Sequence, residues 1–201
     1  MKKPLLAFVA LCLVATLGHG QSKEDALNAK SITWFGLDFS KAAFIGDGFV
    51  TPDQVKNELL IPINQLMLDE QVKFNIPKFF EVPNVVNDFD DVTRHTKEID
   101  NKEMKIIHTS EDYSITETDV QKIISDYKSD KDGYGLVFVV ESFNKTAVQG
   151  AIWVTYFDIK SKKVVFTTKL TSKPMGFGLR NFWAGSVYGI MKLAQHDKSS
   201  W

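Results

Sequence analysis

Beyond residue 20 the chain carries three histidines, His95, His108 and His196. A zinc motif written on one helix or strand needs two of them two or four residues apart, and no pair has that spacing. His95 and His108 bracket Glu98, Asp100 and Glu103. They would meet over a metal only if they flanked a hairpin; otherwise they read as solvated surface histidines. His196 falls where the last helix should end, a place that favours a cation. Carboxylates cluster at Asp88, Asp90 and Asp91, at Glu111 and Asp112, and at Asp130 and Asp132. Sugar hydrolases use two carboxylates at a set separation, but nothing in the sequence sets a separation in space. "DKDG" lacks the rest of a calcium loop and its closing glutamate. Ser186 follows Gly185 without the G-x-S-x-G frame of a nucleophile elbow. No cofactor motif is complete, so no cofactor is expected, and an enzyme is the less favoured reading.

The segment that most resembles a site is "SKPMGFGLRNFWAGSVYGIMKLAQ", Ser172 to Gln195. A dinucleotide loop needs G-x-G-x-x-G; Gly176 and Gly178 supply two glycines, and Asn181 stands where the third belongs. No Gly-Lys-Ser/Thr ending is present either. The packing reading is fuller. Trp183, Val187, Ile190, Met191 and Ala194 share one face at helical spacing. Gly185 and Gly189 each cost a helix about 1 kcal/mol relative to alanine, so they are expected to face a closely packed surface. Arg180 precedes the helix, where its charge opposes the dipole. Lys173, Arg180 and Phe182 are the candidate partner contacts.

The elements that would position these residues follow from patterning. The chain has 201 residues, 44% hydrophobic, enough for one substantial core. Met1-Lys2-Lys3, an apolar run from Leu5 to Leu17 and a small-residue end at "GHG" read as a secretory signal cleaved near Gly20/Gln21. The apolar run is shorter than the roughly 20 residues of a membrane span. Cys12, the only cysteine, then leaves with the leader, and a lipoprotein is the less favoured reading. Loss of Lys2 and Lys3 also makes the nearly neutral chain slightly more acidic. No basic patch points to nucleic acid, and no second apolar run predicts a transmembrane segment in the mature chain. Residues 1–20 are thus read as signal peptide, 21–30 as a flexible mature N-terminus, and 31–201 as a single α/β domain.

Ser31–Ser40 alternates as a strand, with Gly36 marking a bulge. Thr51-Pro52-Asp53-Gln54 starts a helix by a capping box with proline at the first helical position, and Pro62 predicts a kink or break. Val85, Val86, Phe89 and Val92 suggest a second short helix, and Val92–Thr109 one or two strands, with Lys105–Thr109 the best piece. Thr116-Glu117-Thr118-Asp119 caps another helix. Leu136–Phe143 reads as a strand buried on both faces, and the segments flanking "KSK" at Ser161 as a hairpin. Trp34, Trp153 and Trp183 read as core. The order predicts an α/β (α+β) sandwich: a mixed sheet with a C-terminal β-hairpin and helices packed on it.

The hairpin "VTYFDIKSKKVVFTTKLTS" with Asp158, Ser161-Lys162 and Phe166, followed by a glycine-bearing loop and an Ala/Gly-rich amphipathic helix, resembles a group of bacterial envelope proteins. That group holds the curli-secretion lipoprotein CsgG, the penicillin-binding-protein activator LpoB and the N-terminal domain of TolB. The likeness covers roughly the last 90 residues; Cys12 does not sit in a convincing lipobox, and the first half is not readily aligned. It implies a compact sandwich used for protein contacts without catalysis, in the periplasm or secreted, with another envelope protein as partner. The other expectation is a secreted hydrolase or a carbohydrate- or small-ligand-binding protein. A deep pocket with two converging acids of raised pKa would favour that alternative.

Overall fold

The structure is a computed structural model, which describes residues 22–109 and 111–201. The proposed signal peptide and its cleavage point lie outside the described residues. In chain order the elements are α1 (Lys23–Leu27), β1 (Ser31–Asp38), β2 (Ala43–Ile45), α2 (Pro52–Val55), a π-helical turn (Lys56–Leu60), α3 (Ile61–Asp69), α4 (Ile76–Phe79), β3 (Asn84–Asn87), α5 (Asp90–Glu98), β4 (Lys105–Ile107), α6 (Glu117–Ser125), β5 (Tyr134–Asn144), β6 (Gln149–Asp158), β7 (Lys163–Ser172) and α7 (Leu179–Asp197).

The seven strands form one mixed sheet. β6 covers one edge of β5 along its length, antiparallel. β1 and β2 lie end to end on the other edge, both parallel to β5, with β3 beside β1 and β4 beside β2. β7 closes the hairpin with β6. The central row β1–β2 is therefore broken, and Phe39–Ala42 makes a turn at the break, with the Ala42 amide bonded to the Phe39 carbonyl.

Helices cover both faces, which gives the expected sandwich. The larger core packs α3, α4 and α7 against Trp34, Leu37, Phe138, Val154 and Tyr156. The smaller core packs α5 and α6 against Phe35, Val137, Val139 and Phe157 through Val92, Val120, Ile123 and Ile124. Val187 and Ile190 of α7 are fully buried, and Trp183 stacks on Phe143 with ring centroids 4.6 Å apart. Trp34 is buried as expected, whereas Trp153 is only half-buried and donates through Nε1 to Glu141.

Several sequence readings are corrected. Residues 21–30 do not all fray: Ser22 and Asp25 form a capping box, and α1 buries Ala26 and Leu27 in the larger core. Of the kink or break read at Pro62, the break does not occur, and the irregularity lies in the turn before it. The turn before it relaxes to i→i+5 bonding, with the Ile61 amide reaching the Lys56 carbonyl, so the helix runs on from Pro52 to Asp69. Thr51 caps α2 through the Gln54 amide as read, but the Gln54 side chain turns to Glu58 instead of closing a capping box. Val85 and Val86 lie on strand β3, not on a helix. The stretch after Val92 is helix α5, and only Lys105–Ile107 is strand.

Candidate functional site

The chemistry-bearing cluster lies at the break in the central row. It starts with Gly36, whose φ of +88° suits glycine. Trp34 pairs with Leu136 but Leu37 with Phe138, so β1 holds one residue more than β5 there. This bulge shifts the alternation by one. Trp34 and Leu37 both face the larger core, and Asp38, which would otherwise join them, turns to the other face, toward α5.

Asp38 is fully buried and acts only as an acceptor. Its carboxylate takes the Ser40 amide at 2.8 Å, the Ser40 hydroxyl, the Tyr127 hydroxyl at 3.0 Å, and His95 Nδ1 at 2.7 Å. His95 sits on the inward face of α5, one turn beyond Asp91 and Val92. Its Nε2 lies 3.1 Å from Asp126 Oδ2, and Ser40 Oγ lies 2.8 Å from Nδ1. Arg94 completes the frame. It donates to Asp126 at 2.8 Å, to Glu98 at 3.0 Å and to Asp91 at 3.1 Å. Buried Asp91 in turn accepts the amides of Lys128 and Ser129, which ties the loop after α6 to α5.

Burial of the His95 ring works against its charge, but hydrogen bonds to Asp38 and Asp126 outweigh that even with Arg94 opposing, so its pKa rises above the ordinary value. Asp126 is held down at about 2, chiefly by the Arg94 hydrogen bond and then by His95. Tyr127 is raised well above its ordinary value by burial and by the neighbouring Asp38.

A cleft of about 740 Å³ opens beside this cluster. Ser40, His95 and Asp126 form one wall, Phe39, Phe44 and Met104 supply apolar surface, and Lys41, Lys105, Lys122 and Tyr113 reach it from the other sides. Ser40, His95 and Asp126 have the composition of a nucleophile, base and orienting acid. The geometry gives them other roles. A Ser–His pair works when the imidazole accepts the hydroxyl proton. Here Asp38 faces the same Nδ1, so that nitrogen must carry a proton, and the Ser40 hydroxyl gives its own to Asp38. Every carboxylate with a resolved shift among the described residues is lowered, Asp88, Asp119 and Asp126 alike. None of these three has the raised pKa that the hydrolase reading calls for.

His95 thus corrects the reading of it as a solvated histidine, while His108 lies exposed beyond β4. Among the described residues no group of three histidine, cysteine or acidic side chains is placed to hold a metal. Asp88 and Asp91, read only as members of an acidic cluster, bind the Ser129 loop.

No family model matches this chain, and no curated protein matches it.

The predicted contacts lie elsewhere, around the N-terminus of α7. Lys173 is exposed, and Arg180 is half-buried with its Nε bonded to Asn181. Phe182 is not free: it is half-buried, packs on the larger core and meets Trp183 edge-on at 5.2 Å. The free apolar side chains of that loop are Met175 and Phe177. Sequence reasoning passed over them, though a phenylalanine between two glycines, outside any periodic pattern, was the available signal. No helix of the described residues is long and apolar enough to cross a membrane.

Proposed function

We propose that this chain is an exported bacterial envelope domain that works by binding another envelope protein, without catalysis, and that the contact is the outer edge of β7. The observation that carries this reading is the edge itself. β7 runs for ten residues and pairs only with β6 among the described strands. Gln121 of α6 caps only its start, taking the Val164 amide and donating to the Lys162 carbonyl. From Val165 to Thr171 the outward main-chain groups face no other strand. An extended segment of a partner can add to such an edge by main-chain bonds, with alternate side chains setting the choice. Lys163 stands at its start as a charge that discourages indiscriminate pairing, whereas Lys169 folds back over Trp153 to Glu141, 3.3 Å away. The resemblance of the last 90 or so residues to the envelope group points the same way.

Photo-crosslinking amino acids placed at the exposed positions Lys169 and Thr171 test this in cells. One envelope protein crosslinked from both sites is the expected result. Adducts absent from both sites, or the same adducts from a site on the far side such as Asp132, contradict it.

The cleft beside Ser40 favours a second reading, a secreted hydrolase or a carbohydrate- or small-ligand-binding protein. Its volume lies in the range of small-ligand sites. The shared Nδ1 and the lowered Asp126 weigh against hydrolysis there, and leave binding of a small polar ligand as the form that this alternative takes.

A further inference from the structure

Three loops come together at the end of the sheet where β2 and β5 stop. They are Gly46–Val50, Lys145–Val148 and Lys173–Gly178. The Lys145 amide bonds the Ile45 carbonyl, Gly46 lies against Thr146, Gly48 lies against Lys145, and Ser172 pairs with Gly150 at the start of β6. Phe49 stacks on Trp183 of α7 at 5.8 Å, which anchors the first loop to the third.

Four of the exposed large apolar side chains sit on these tips: Val50 at 66%, Val148 at 45%, Met175 at 72% and Phe177 at 94% exposure. The same loops and the start of α7 carry Lys145, Lys173 and Arg180 against one acid, Asp47. These apolar groups are exposed on loops at one end of the sheet, and none of them lines the cleft beside Ser40. A small ligand seeks a concave site. Exposed apolar groups with cations behind them suit an anionic bilayer, into whose interface they insert while the cations meet lipid phosphates. Arg180 fits that account: its charge opposes the helix dipole in the folded chain, and an anionic surface would relieve it.

We propose that this end of the molecule docks on the face of an anionic lipid bilayer, with Met175 and Phe177 inserted and Lys145, Lys173 and Arg180 over the headgroups. The proposal rests on the reading that the chain works through its surfaces, and it leaves the β7 edge free for a protein.

The test needs a readout local to the loop, because the apolar N-terminal segment could bind vesicles by itself. Met175→Cys in the full chain with Cys12→Ser, labelled with an environment-sensitive fluorophore, supplies one. Vesicles of phosphatidylcholine with and without phosphatidylglycerol are the probe. The expected result is a blue shift with the anionic vesicles only, abolished by Phe177→Asp. Affinity should fall about fivefold for each of Lys173→Ala and Arg180→Ala. A label at Asp132→Cys, on the far side, should stay unshifted. No shift at position 175, or an equal shift with zwitterionic vesicles, overturns the proposal. So does a blue shift without vesicles that grows with protein concentration, which would assign the surface to a second copy of the chain. A shift caused only by added envelope proteins would likewise give it to a protein. Crosslinking at β7 succeeds or fails independently, so loss of the bilayer contact and loss of the proposed function are separable.

Discussion

Asn64 binds Leu37 twice: its Oδ1 accepts the Leu37 amide at 2.8 Å, and its Nδ2 donates to the Leu37 carbonyl at 2.8 Å. A side chain of α3 thus takes the place of a neighbouring strand at the point where the Gly36 bulge interrupts the ladder. The pair holds the bulge, the bulge turns Asp38 toward α5, and Asp38 fixes His95. Asn64→Leu keeps the forked shape and removes both bonds. It should destabilise by about 1–3 kcal/mol for each buried main-chain group left unpaired, read by urea denaturation. A loss under about 0.5 kcal/mol would show that the pair does not hold the bulge.

The glycines of α7 should separate by what faces them. A Cβ on Gly185 would collide with the main chain of Met175, which cannot swing away. A Cβ on Gly189 would meet only the Ser172 side chain, its hydroxyl first and its Cβ at 3.0 Å, and no main chain. Gly185→Ala should therefore destabilise the protein despite alanine's helix preference of about 1 kcal/mol. Gly189→Ala should be close to neutral, and Gly189→Leu should cost about 1–3 kcal/mol by overpacking. Thermal denaturation of the three variants checks the order.

These glycines show what was legible. Their cost inside a helix could be read from the sequence, and so could the closely packed surface they must face, though not that the Met175 main chain supplies it for Gly185. The long strands, the Gly36 bulge and the caps at Thr51 and Thr116 were legible for the same reason: each is a local pattern with a local cause. The short parallel strands were not. Three or four residues such as Ala43–Ile45 or Asn84–Asn87 have no period to detect, and their partners lie far away in sequence. His95 was missed differently. Asp91, Val92, His95, Thr96 and Ile99 recur at helical spacing, with acids in the first turn and Lys97 in the last. The valines and isoleucines on either side outweighed that signal. Asp38 gave no signal except its oddity, a charge between Leu37 and Phe39, because its direction depends on the bulge.

Removing Asp38 should expose how much the cluster depends on it. Asp38→Ala leaves the His95 imidazole, the Tyr127 hydroxyl and the Ser40 amide without their shared acceptor. The expected loss is about 3–5 kcal/mol, as when one partner of a buried pair is deleted. Tyr127→Phe removes a single hydrogen bond and should cost about 1 kcal/mol. Chemical denaturation of both variants tests the ratio.

Stability should depend on pH in two arms. The pKa of His95 is raised on folding, so its contribution is full below the unfolded value of about 6.5 and fades as pH rises through the higher folded value. The pKa of Asp126 is lowered to about 2, so its contribution is present above the unfolded value and fades as pH falls toward that figure. Thermal midpoints measured across pH should fall as pH rises through the His95 titration in the wild type and lose that arm in His95→Gln. Asp126→Asn should move the arm to lower pH, because it takes away one of the hydrogen bonds that raises His95.

The claim that sets nucleophilic catalysis aside at the cleft is that His95 is held between Asp38 and Asp126, with a proton on Nδ1, and that Ser40 has no base. Imidazole ¹⁵N chemical shifts of His95, followed through a pH titration, test it most directly. The account predicts a midpoint above 6.5, with both ring nitrogens protonated on its acid side and Nδ1 still carrying its proton in the neutral ring. A midpoint below 6.5 with an unprotonated Nδ1 facing Ser40 at neutral pH would contradict it, and would make the cleft a candidate for nucleophilic catalysis.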